Sequence, residues 1–571
     1  MSATGDRVAF TCNREPVEVD VVPGETLLTV LRERLGLVTA KDGCAPQGQC
    51  GCCTVLVDGD PRVACVTPAT RVAGRAVTTL EGLDADVRDV LGDAFVASGG
   101  SQCGFCTPGI LVRVASLRAK GKTARVDLDR ALAAHLCRCT GWETVYEACD
   151  PERSSAPRSR RAASARAELE GGVPQRVGAD VPLGGGGFSD DTAPRGALVA
   201  VPLPPGSEAE AVEAAGVRWV LAESLHEARA RASKVQGRRT SGDVSWPLPL
   251  PAAVDGGVRL ATTWVEPAYL EPDASWCAPG GEPALPLANG GAFGGKETSP
   301  VGRAARELAG RTGHVVRVVF SREDVVRLGP KRPPIAAAAR FERSHVVIDG
   351  FVAGWADAFR APLDLPYRIA MSETWAERSV MGPPTGSNLR AVGVAERTVL
   401  VEGALDACGA ARAQLVADDR AASVLLDTCA RAPSGATAGA HVDVEEDGSV
   451  VRIAVRVAAG DPLDEVVLRS YSIGAAHMGL GWVLSEGIAV DPTTGEVHDL
   501  TIRSFGVVRA KDTPRIDVTI VDDPGPALAR ASDAVFAAVA AATWNAIAAS
   551  TGSRPERFPA RETAAARRLR R

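Results

Sequence analysis

Cysteine is the residue type with the clearest capacity for chemistry in this chain. Eleven of the fourteen cysteines lie within the first 149 residues. Dense cysteines form disulfide frameworks, zinc sites or iron–sulfur sites. A disulfide framework is typical of a short secreted chain, whereas this chain has 571 residues and its first residues show no apolar signal-peptide core. We therefore expect the cysteines to hold a metal.

The first cysteine set resembles the ligand pattern of a plant-type [2Fe–2S] cluster. Its spacing is Cys44-x5-Cys50-x2-Cys53-x11-Cys65, one residue longer in the first gap than the C-x4-C-x2-C of such ferredoxins. A loop that wraps a cluster needs small residues, so that backbone N–H groups can approach the sulfur atoms, and two glycines lie within this loop. Neighbouring side chains do not easily point the same way, so we expect Cys52 not to be a ligand.

The second cysteine set combines Cys103-x2-Cys106 with Cys137-x-Cys139. Zinc is the alternative interpretation, but structural zinc sites favour C-x2–4-C pairs and a C-x-C pair is unusual there. The loop that carries Cys106 leads into a helix predicted to begin near Pro108. The dipole of that helix would favour a negatively charged cluster at its N-terminus.

Hydrophobic patterns predict the elements that position these loops. Residues 8–22 and 54–66 predict two hairpins, the second with Asp58-Gly59 in its turn. Apolar residues at helical spacing predict a helix over 26–37.

The segment 80–150 is predicted to be helical. Thr107 and Pro108 form the N-cap and first residue of one helix, and leucines four residues apart, ending at Leu136, mark another. We assign His135 no functional role, because a single histidine on a helix is most often structural.

Composition narrows the class of protein. Hydrophobic residues make up 45%, charged residues 23%, and the formal charge is −6, which gives no reason to expect binding to nucleic acid or to a membrane surface. The apolar run 534–549 is too short to cross a bilayer and is predicted to be a buried helix. We expect a cytoplasmic protein.

The rest of the chain begins with an Arg/Ser/Ala-rich stretch. Residues 151–175 are interpreted as a solvated linker, and 176–571 as mixed α/β. The string GGAFGGKE at 290–297 fits the phosphate-loop pattern except at its last place. There Glu297 replaces the hydroxyl that binds Mg²⁺, and its charge would repel a triphosphate, so we reject a nucleoside triphosphatase.

The strings CAPQGQCGCCTVLVDG, SQCGFCTPGI and HLCRCTGW resemble the iron–sulfur portion of the xanthine dehydrogenase/aldehyde oxidoreductase family of molybdenum hydroxylases. The resemblance implies a multidomain α+β fold. It places a ferredoxin-like β-grasp domain at 1–78 and a four-helix bundle at 79–150, each with one [2Fe–2S] cluster. The expected ligands are the two sets of four cysteines. It also implies that Gln102 approaches a molybdopterin cofactor.

Later strings resemble the molybdenum portion of the same family. The resemblance implies a first part at 176–260 and a shortened molybdopterin-binding region at 261–571. PPTGSNLRAVG implies that Arg390 lies near cofactor and substrate. GGAFGG resembles the molybdopterin-binding loop, and its implied cofactor-binding residues are Gly291, Ala292, Phe293, Gly294 and Gly295.

This region also departs from the family. It is several hundred residues shorter, and the GVGE-like string that supplies the active-site glutamate is absent from the sequence. The residue that best corresponds to this glutamate is Asp533, which is a candidate catalytic base. Arg390 is a second candidate catalytic residue. A helix N-cap at Ser532 or Asp533 is the other interpretation, and the one we favour.

The expected function is an iron–sulfur oxidoreductase. In the first hypothesis a molybdenum cofactor hydroxylates a heterocycle or an aldehyde, and electrons leave through both clusters. The alternatives are an electron-transfer or scaffold subunit that binds no molybdenum, and a redox sensor. No flavin domain lies between 150 and 190, so we expect a separate acceptor such as a flavoprotein subunit, in a homodimer or hetero-oligomer.

Overall fold

The computed structural model describes residues 6–150, 158–233, 243–285, 290–354 and 356–569. The first part of the chain is a β-rich unit followed by a small helical unit. Its elements are β1 (Asp6–Cys12), β2 (Glu15–Val21), α1 (Leu27–Thr29), β3 (Thr54–Val57), β4 (Asp60–Val63), β5 (Ala76–Thr78), α2 (Ala85–Ser98), α3 (Thr107–Arg118), α4 (Arg125–Leu132) and α5 (Glu143–Cys149).

The β-rich unit forms one sheet in the order β2-β1-β5-β3-β4. Both predicted hairpins are confirmed, as β1–β2 and β3–β4. Asp58 and Gly59 turn the second hairpin with φ values of 51° and 81°, the left-handed backbone that a two-residue hairpin turn requires. The predicted helix is confirmed as α1 and a π-helical continuation, Val30–Leu35.

Two local predictions in the helical unit are wrong. The helix α3 begins at Thr107, so Thr107 is not its N-cap. The Thr107 hydroxyl instead lies 3.1 Å from the Ser101 hydroxyl, which holds the loop of the second cysteine set. The last leucine of the second stripe, Leu136, lies beyond the end of α4.

The stretch 151–175 is not a solvated linker throughout. Residues 160–171 form α6 (Arg160–Gly171), whose N-cap is the Ser159 hydroxyl. The helix buries the ion-paired side chains of Arg166 and Glu170, both fully enclosed. The composition of this segment did not indicate a buried helix, because charged residues are usually exposed and here two of them are paired in the interior.

The remainder of the chain contains three further sheets with helices packed on them. Its elements are β6 (Leu198–Pro202), β7 (Val212–Ala214), β8 (Val217–Ala222), α7 (Leu225–Arg231), β9 (Val258–Thr262), β10 (Ala274–Cys277), α8 (Val301–Thr312), β11 (Val316–Val319), α9 (Arg322–Leu328), β12 (Ile335–Glu342), β13 (His345–Ala353), β14 (Ala370–Arg378), α10 (Val394–Ala407), α11 (Arg412–Leu415), α12 (Asp419–Val424), β15 (Thr428–Arg431), β16 (Thr437–Val444), β17 (Val450–Ala458), α13 (Glu465–Leu484), β18 (Arg515–Ile520), α14 (Ala531–Thr551), β19 (Arg557–Phe558) and α15 (Ala564–Leu569).

These strands pair in the orders β10-β11-β6-β8-β7, β14-β13-β12-β9-β19 and β15-β16-β17-β18. Parallel and antiparallel pairs both occur, as in β11–β6 and β10–β11. The predicted multidomain α+β fold is confirmed.

Two long helices, α13 and α14, form the centre of the second part. Trp482 on α13 stacks on Phe536 of α14, with ring centroids 5.5 Å apart. By length and composition α14 is apolar enough to cross a membrane, but most of its side chains are buried inside the protein. It is the buried helix predicted from the apolar run 534–549.

A buried network of charges joins the β-rich unit to the second part. Arg32 donates to Asp190 at 2.7 Å and to Asp191 at 2.8 Å. Arg317 on β11 bonds the same Asp190 at 2.8 Å and reaches back to Glu33. Lys41, with no exposed surface, pairs with Asp191. Paired charges of both signs fix the first cysteine loop against the second part.

Candidate functional site: two thiol clusters and a closed pocket

The first four thiols are buried close together, each no more than 2% exposed. Backbone N–H groups point at their sulfur atoms: those of Gln49 and Cys50 donate to Cys44 Sγ at 3.3 Å, and that of Cys65 donates to Cys53 Sγ at 3.4 Å. Such bonds stabilise sulfur atoms that carry negative charge. The donor set and its surroundings fit a [2Fe–2S] cluster.

Hydrogen bonds between the thiols shift their pKa values in opposite directions, downward for Cys44 and upward for Cys50 and Cys65. Bonds from Cys50 and Cys65 lower the pKa of Cys44 well below its ordinary value, and they outweigh burial, which would raise it. Cysteine binds metal as the thiolate. The adjacent Cys52 is fully buried, with its Sγ 3.9 Å from the Cys50 carbonyl oxygen and within hydrogen-bond reach of the Cys50 thiol.

The second four thiols lie at the start of α3 and in the loop between α4 and α5. Cys103 and Cys139 approach each other with a sulfur–sulfur distance of 3.6 Å. Cys106 immediately precedes α3, and Cys137 Sγ lies 3.0 Å from the Thr140 hydroxyl. The helix N-terminus faces this set, as predicted, and favours the negative charge of a second cluster.

The loops of the two sets touch. A side chain at Gly109 on α3 would place its Cβ 2.3 Å from the Gly51 carbonyl oxygen, so the first turn of this helix requires glycine there. The Leu136 N–H, next to Cys137, donates to the Cys50 carbonyl at 3.0 Å. Two centres held by these thiols would therefore be separated by little more than one layer of backbone.

His135 fills the space at this contact. A side chain at Gly51 would meet the His135 ring at 2.6 Å, and the ring Nε2 lies 3.2 Å from the Thr54 hydroxyl. Burial lowers the pKa of His135 to about 4, so the ring is neutral near pH 7. It packs and bonds without adding charge between the clusters.

The side chain of Gln102 bonds two separate elements. Its side-chain amide donates to the Cys139 carbonyl and to the Ser470 hydroxyl on α13, both at 2.9 Å. Gln102 therefore joins the second cysteine loop to α13.

The glycines of the glycine-rich loop pack closely against other atoms of this chain. A Cβ at Gly291 would lie 3.0 Å from Cys139 Sγ, and one at Gly294 would lie 1.8 Å from the Asn388 carbonyl oxygen. A Cβ at Gly295 would lie 2.5 Å from the Pro267 ring. The glycines allow close approach of this chain's own atoms, and the second cysteine set is among them.

Arg390 and Asp533 come together beside this loop. Their closest side-chain atoms, Arg390 Nε and Asp533 Oδ1, are 3.8 Å apart. The guanidinium of Arg390 lies 4.2 Å from the centre of the Phe293 ring. Burial raises the pKa of Asp533 and lowers that of Arg390, and their mutual attraction opposes both shifts.

The N-cap interpretation of this segment is wrong. The helix α14 begins at Ala531, its N-cap is Arg530 in a left-handed conformation, and Asp533 is the third helical residue. The Ser532 N–H donates to Glu170 Oε2 of α6 at 3.0 Å. The Glu170 carboxylate thus accepts the hydrogen bond from a backbone N–H at the N-terminus of α14, in place of an N-cap side chain.

Glu170 was not among the residues selected from the sequence. Together with Arg390, Arg530 and Asp533 it lines a cavity of about 20 Å³. The missed signal is the spacing of Ala163, Arg166, Ala167 and Glu170, which places all four on one face of α6.

The space near the expected molybdopterin site is too small for that cofactor. Besides the cavity at Glu170, one of about 30 Å³ lies between Arg390, Trp482 and Glu486, and one of about 10 Å³ lies between Cys103 and Gly291. Each has room for about one or two waters, whereas small-molecule sites take about 300–1,000 Å³. Five of the residues expected to bind molybdopterin line these cavities, which do not fit it as the chain is folded: Gly291, Ala292, Phe293, Gly294 and Arg390.

Comparison with known families agrees with the thiol geometry. Residues 10–73 match the model of a 2Fe-2S iron-sulfur cluster binding domain, and residues 79–150 match that of a [2Fe-2S] binding domain. These matches support two [2Fe–2S] clusters, rather than zinc, as the groups held by the cysteines.

Two curated relatives align over the same part of the chain. A probable xanthine dehydrogenase subunit of Bacillus subtilis (strain 168) is 36% identical over 168 residues, which are 29% of this chain and 89% of that protein. The xanthine dehydrogenase iron-sulfur-binding subunit of Escherichia coli O157:H7 is 39% identical over 142 residues, 24% of this chain and 88% of that protein.

The fold of the whole chain is similar to a solved structure. Aldehyde oxidoreductase from Desulfovibrio gigas superposes with a TM-score of 0.75 at 16% identity, covering 97% of this chain and 99% of that one. Identity this low shows the shared fold alone. Since the Bacillus and Escherichia proteins are matched over nearly their full length, the chain belongs to the xanthine dehydrogenase/aldehyde oxidoreductase family of molybdenum hydroxylases and is an iron–sulfur oxidoreductase of that type.

Proposed function

We propose that the chain is an electron relay, in which electrons pass singly through two [2Fe–2S] clusters to an acceptor outside the chain. The contact of the two cysteine loops at Gly51 and Gly109 carries this proposal, because electron transfer needs closely spaced centres. The proposed ligands are Cys44, Cys50, Cys53 and Cys65 for one cluster and Cys103, Cys106, Cys137 and Cys139 for the other.

When bound, each cluster accepts and releases one electron. The chain's own residues would set how readily this happens. N–H groups of Gln49, Cys50 and Cys65 donate to thiolate sulfur, which stabilises the reduced, more negative state. Seven of the eight proposed ligands are buried and Cys103 is half-buried, so water would have little access to the clusters.

Hydroxylation of a heterocycle or an aldehyde at a molybdenum cofactor is a second candidate function. The convergence of Arg390 and Asp533 beside the glycine-rich loop favours it. The small size of the cavities beside these residues opposes it. The proposed electron donor is therefore a separate redox subunit, in keeping with relatives that are named as subunits of xanthine dehydrogenases.

Metal analysis tests the proposal. Protein purified anaerobically from molybdate-supplemented cells should contain about four Fe and four acid-labile sulfides per chain, and two reducible paramagnetic signals. Molybdenum should stay far below one atom per chain. One Mo per chain, with turnover of a purine or an aldehyde, would establish the second candidate, and colourless protein without sulfide would exclude both.

A further inference from the structure

A cavity of about 480 Å³ lies beside both cysteine loops and has no part in the functions considered so far. It is bounded by the segment 485–489, the segment 499–509 and side chains near the C-terminus. Its volume falls within the range of about 300–1,000 Å³ that small-molecule sites occupy.

Residues next to cluster ligands form one wall of this cavity. Gln49 lines it, and the Gln49 N–H donates to Cys44 Sγ at 3.3 Å. Leu136 also lines it and immediately precedes Cys137. An occupant would thus contact residues bonded to, or adjacent to, a proposed ligand of each cluster.

Arg503 fixes this wall in place. Its Nε donates to the Gln49 carbonyl at 3.1 Å, and its backbone N–H donates to Gln49 Oε1 at the same distance. Its Nη2 donates to the Ala133 carbonyl at 2.9 Å. The segment 499–509 is therefore bonded to both cysteine loops.

The lining carries more positive than negative charge. Three guanidinium groups, Arg503, Arg509 and Arg561, face two carboxylates, Asp243 and Asp499. Arg509 also pairs with Asp512 through its Nε. A guanidinium has five N–H donors, so those that remain can still donate to an anionic ligand.

Apolar side chains supply the other surfaces. Leu136, Ile488, Phe505 and Val508 line the cavity and are each buried. The lining thus combines polar and charged groups with some apolar side chains, which suits a ring system that carries an acidic group.

We propose that this cavity binds the electron acceptor, and that the acceptor is a planar quinone bearing an anionic group. The inference rests on the proposed electron relay and narrows its acceptor to a chemical class. Each reduced cluster gives up one electron, so the two clusters together supply two electrons. With two protons from solvent these convert one quinone to its hydroquinone, and both clusters return to the oxidised state.

Binding to the oxidised protein tests the site without any turnover. Anthraquinone-2-sulfonate should bind with a saturable 1:1 isotherm in calorimetry, and the uncharged 2-(hydroxymethyl)anthraquinone should bind at least tenfold more weakly. Arg509→Gln and Arg561→Gln should each raise the Kd for the sulfonate roughly tenfold, the loss expected for one charged hydrogen bond. Arg515→Gln, an exposed arginine on β18, is the matched control and should change nothing.

A space-filling variant tests the same cavity without altering charge. Ala489 lines the cavity, and Ala489→Phe should abolish binding of both quinones while both clusters remain visible by absorbance. In stopped-flow mixing, the dithionite-reduced protein should reoxidise with a rate that saturates in anthraquinone-2-sulfonate, and Ala489→Phe should remove that saturation.

The inference would be overturned if the protein bound the two quinones with equal affinity. It would also be overturned if neither the arginine variants nor Ala489→Phe changed the affinity. Either result would leave the proposed electron relay intact. Reoxidation by a protein acceptor alone would likewise overturn the inference and leave the relay intact. Failure of the relay itself is distinct, because the protein would then lack reducible clusters.

Discussion

The two parts of this molecule position their polar groups in opposite ways. In the first cysteine set, the backbone N–H groups that donate to sulfur belong to residues 5, 6 or 12 positions away. In the second part, Glu170 accepts from Ser532 across 362 positions. Local loops therefore define the thiol clusters, whereas the pocket of Arg390 and Asp533 exists only once distant helices have packed.

The largest expected effect is loss of iron when a proposed cluster ligand is replaced, compared with replacement of the cysteine next to it. Cys53→Ser should remove one cluster, lowering iron from about four to about two atoms per chain and eliminating one paramagnetic signal. Cys52→Ser is the matched control and should retain both clusters, because Cys52 is not a proposed ligand and a serine hydroxyl can keep its contact with the Cys50 carbonyl. Equal loss of iron in the two variants would contradict the assigned ligands.

A second change tests how firmly α6 closes the pocket of the second part. Arg166→Ala leaves Glu170 charged and enclosed without its partner, which should cost about 3–5 kcal/mol of unfolding free energy. Urea unfolding followed by far-UV circular dichroism measures this. The exposed Arg160 on the same helix provides the control, Arg160→Ala. An unchanged unfolding midpoint in Arg166→Ala would mean that α6 does not dock.

A third change tests the charge network that joins the two parts. Burial alone would raise the pKa of Asp190, but Arg317 and Arg32 outweigh it and hold the pKa well below the ordinary 3.8. A carboxyl with a lowered pKa in the folded state stabilises the protein above its unfolded pKa, and this contribution is lost as pH falls below about 5.

Asp190→Asn should therefore lower stability by about 2 kcal/mol at pH 7 and by progressively less below pH 5. Thermal melts of both proteins between pH 7 and pH 4 measure the difference. The exposed Asp255→Asn is the control, with no comparable pH dependence expected. If the stability difference between the native protein and Asp190→Asn grew toward acid pH, the pH dependence would be opposite to that expected and would contradict the role given to Asp190.

The smallest effect is expected at the candidate base. Asp533→Asn removes a pair separated by 3.8 Å and should change stability by about 1 kcal/mol or less, with cluster reduction unaffected. Asp522→Asn, an exposed acid nearby in sequence, is the control. Loss of purine or aldehyde turnover in Asp533→Asn alone would favour the molybdenum-dependent candidate function instead.

Sequence reasoning reached furthest where the determinants are local. The turn at Asp58-Gly59 needs only two residues of permissive backbone, and the spacing of the cysteines requires only a loop of suitable length. The cluster-type spacing was predictable for that reason, whereas the α+β fold was implied by the resemblance to a known family.

Predictions failed where a distant element intervened. No local cap is needed at Asp533 because the Glu170 carboxylate arrives from α6. The solvated-linker interpretation failed because Arg166 and Glu170 neutralise one another and so can be buried. The closure of the pocket beside Gly294 depends on the Asn388 carbonyl, whose approach no pattern of residue types reveals.

The salt bridge of Lys41 has a consequence for synthesis on the ribosome. Its partner Asp191 follows it by 150 positions, so at roughly 5–20 residues per second the counter-ion is made about 8–30 s later. During that interval the ammonium group of Lys41, which is buried in the folded protein, is still hydrated. This ion pair between the β-rich unit and the second part can therefore form only after translation has passed residue 191.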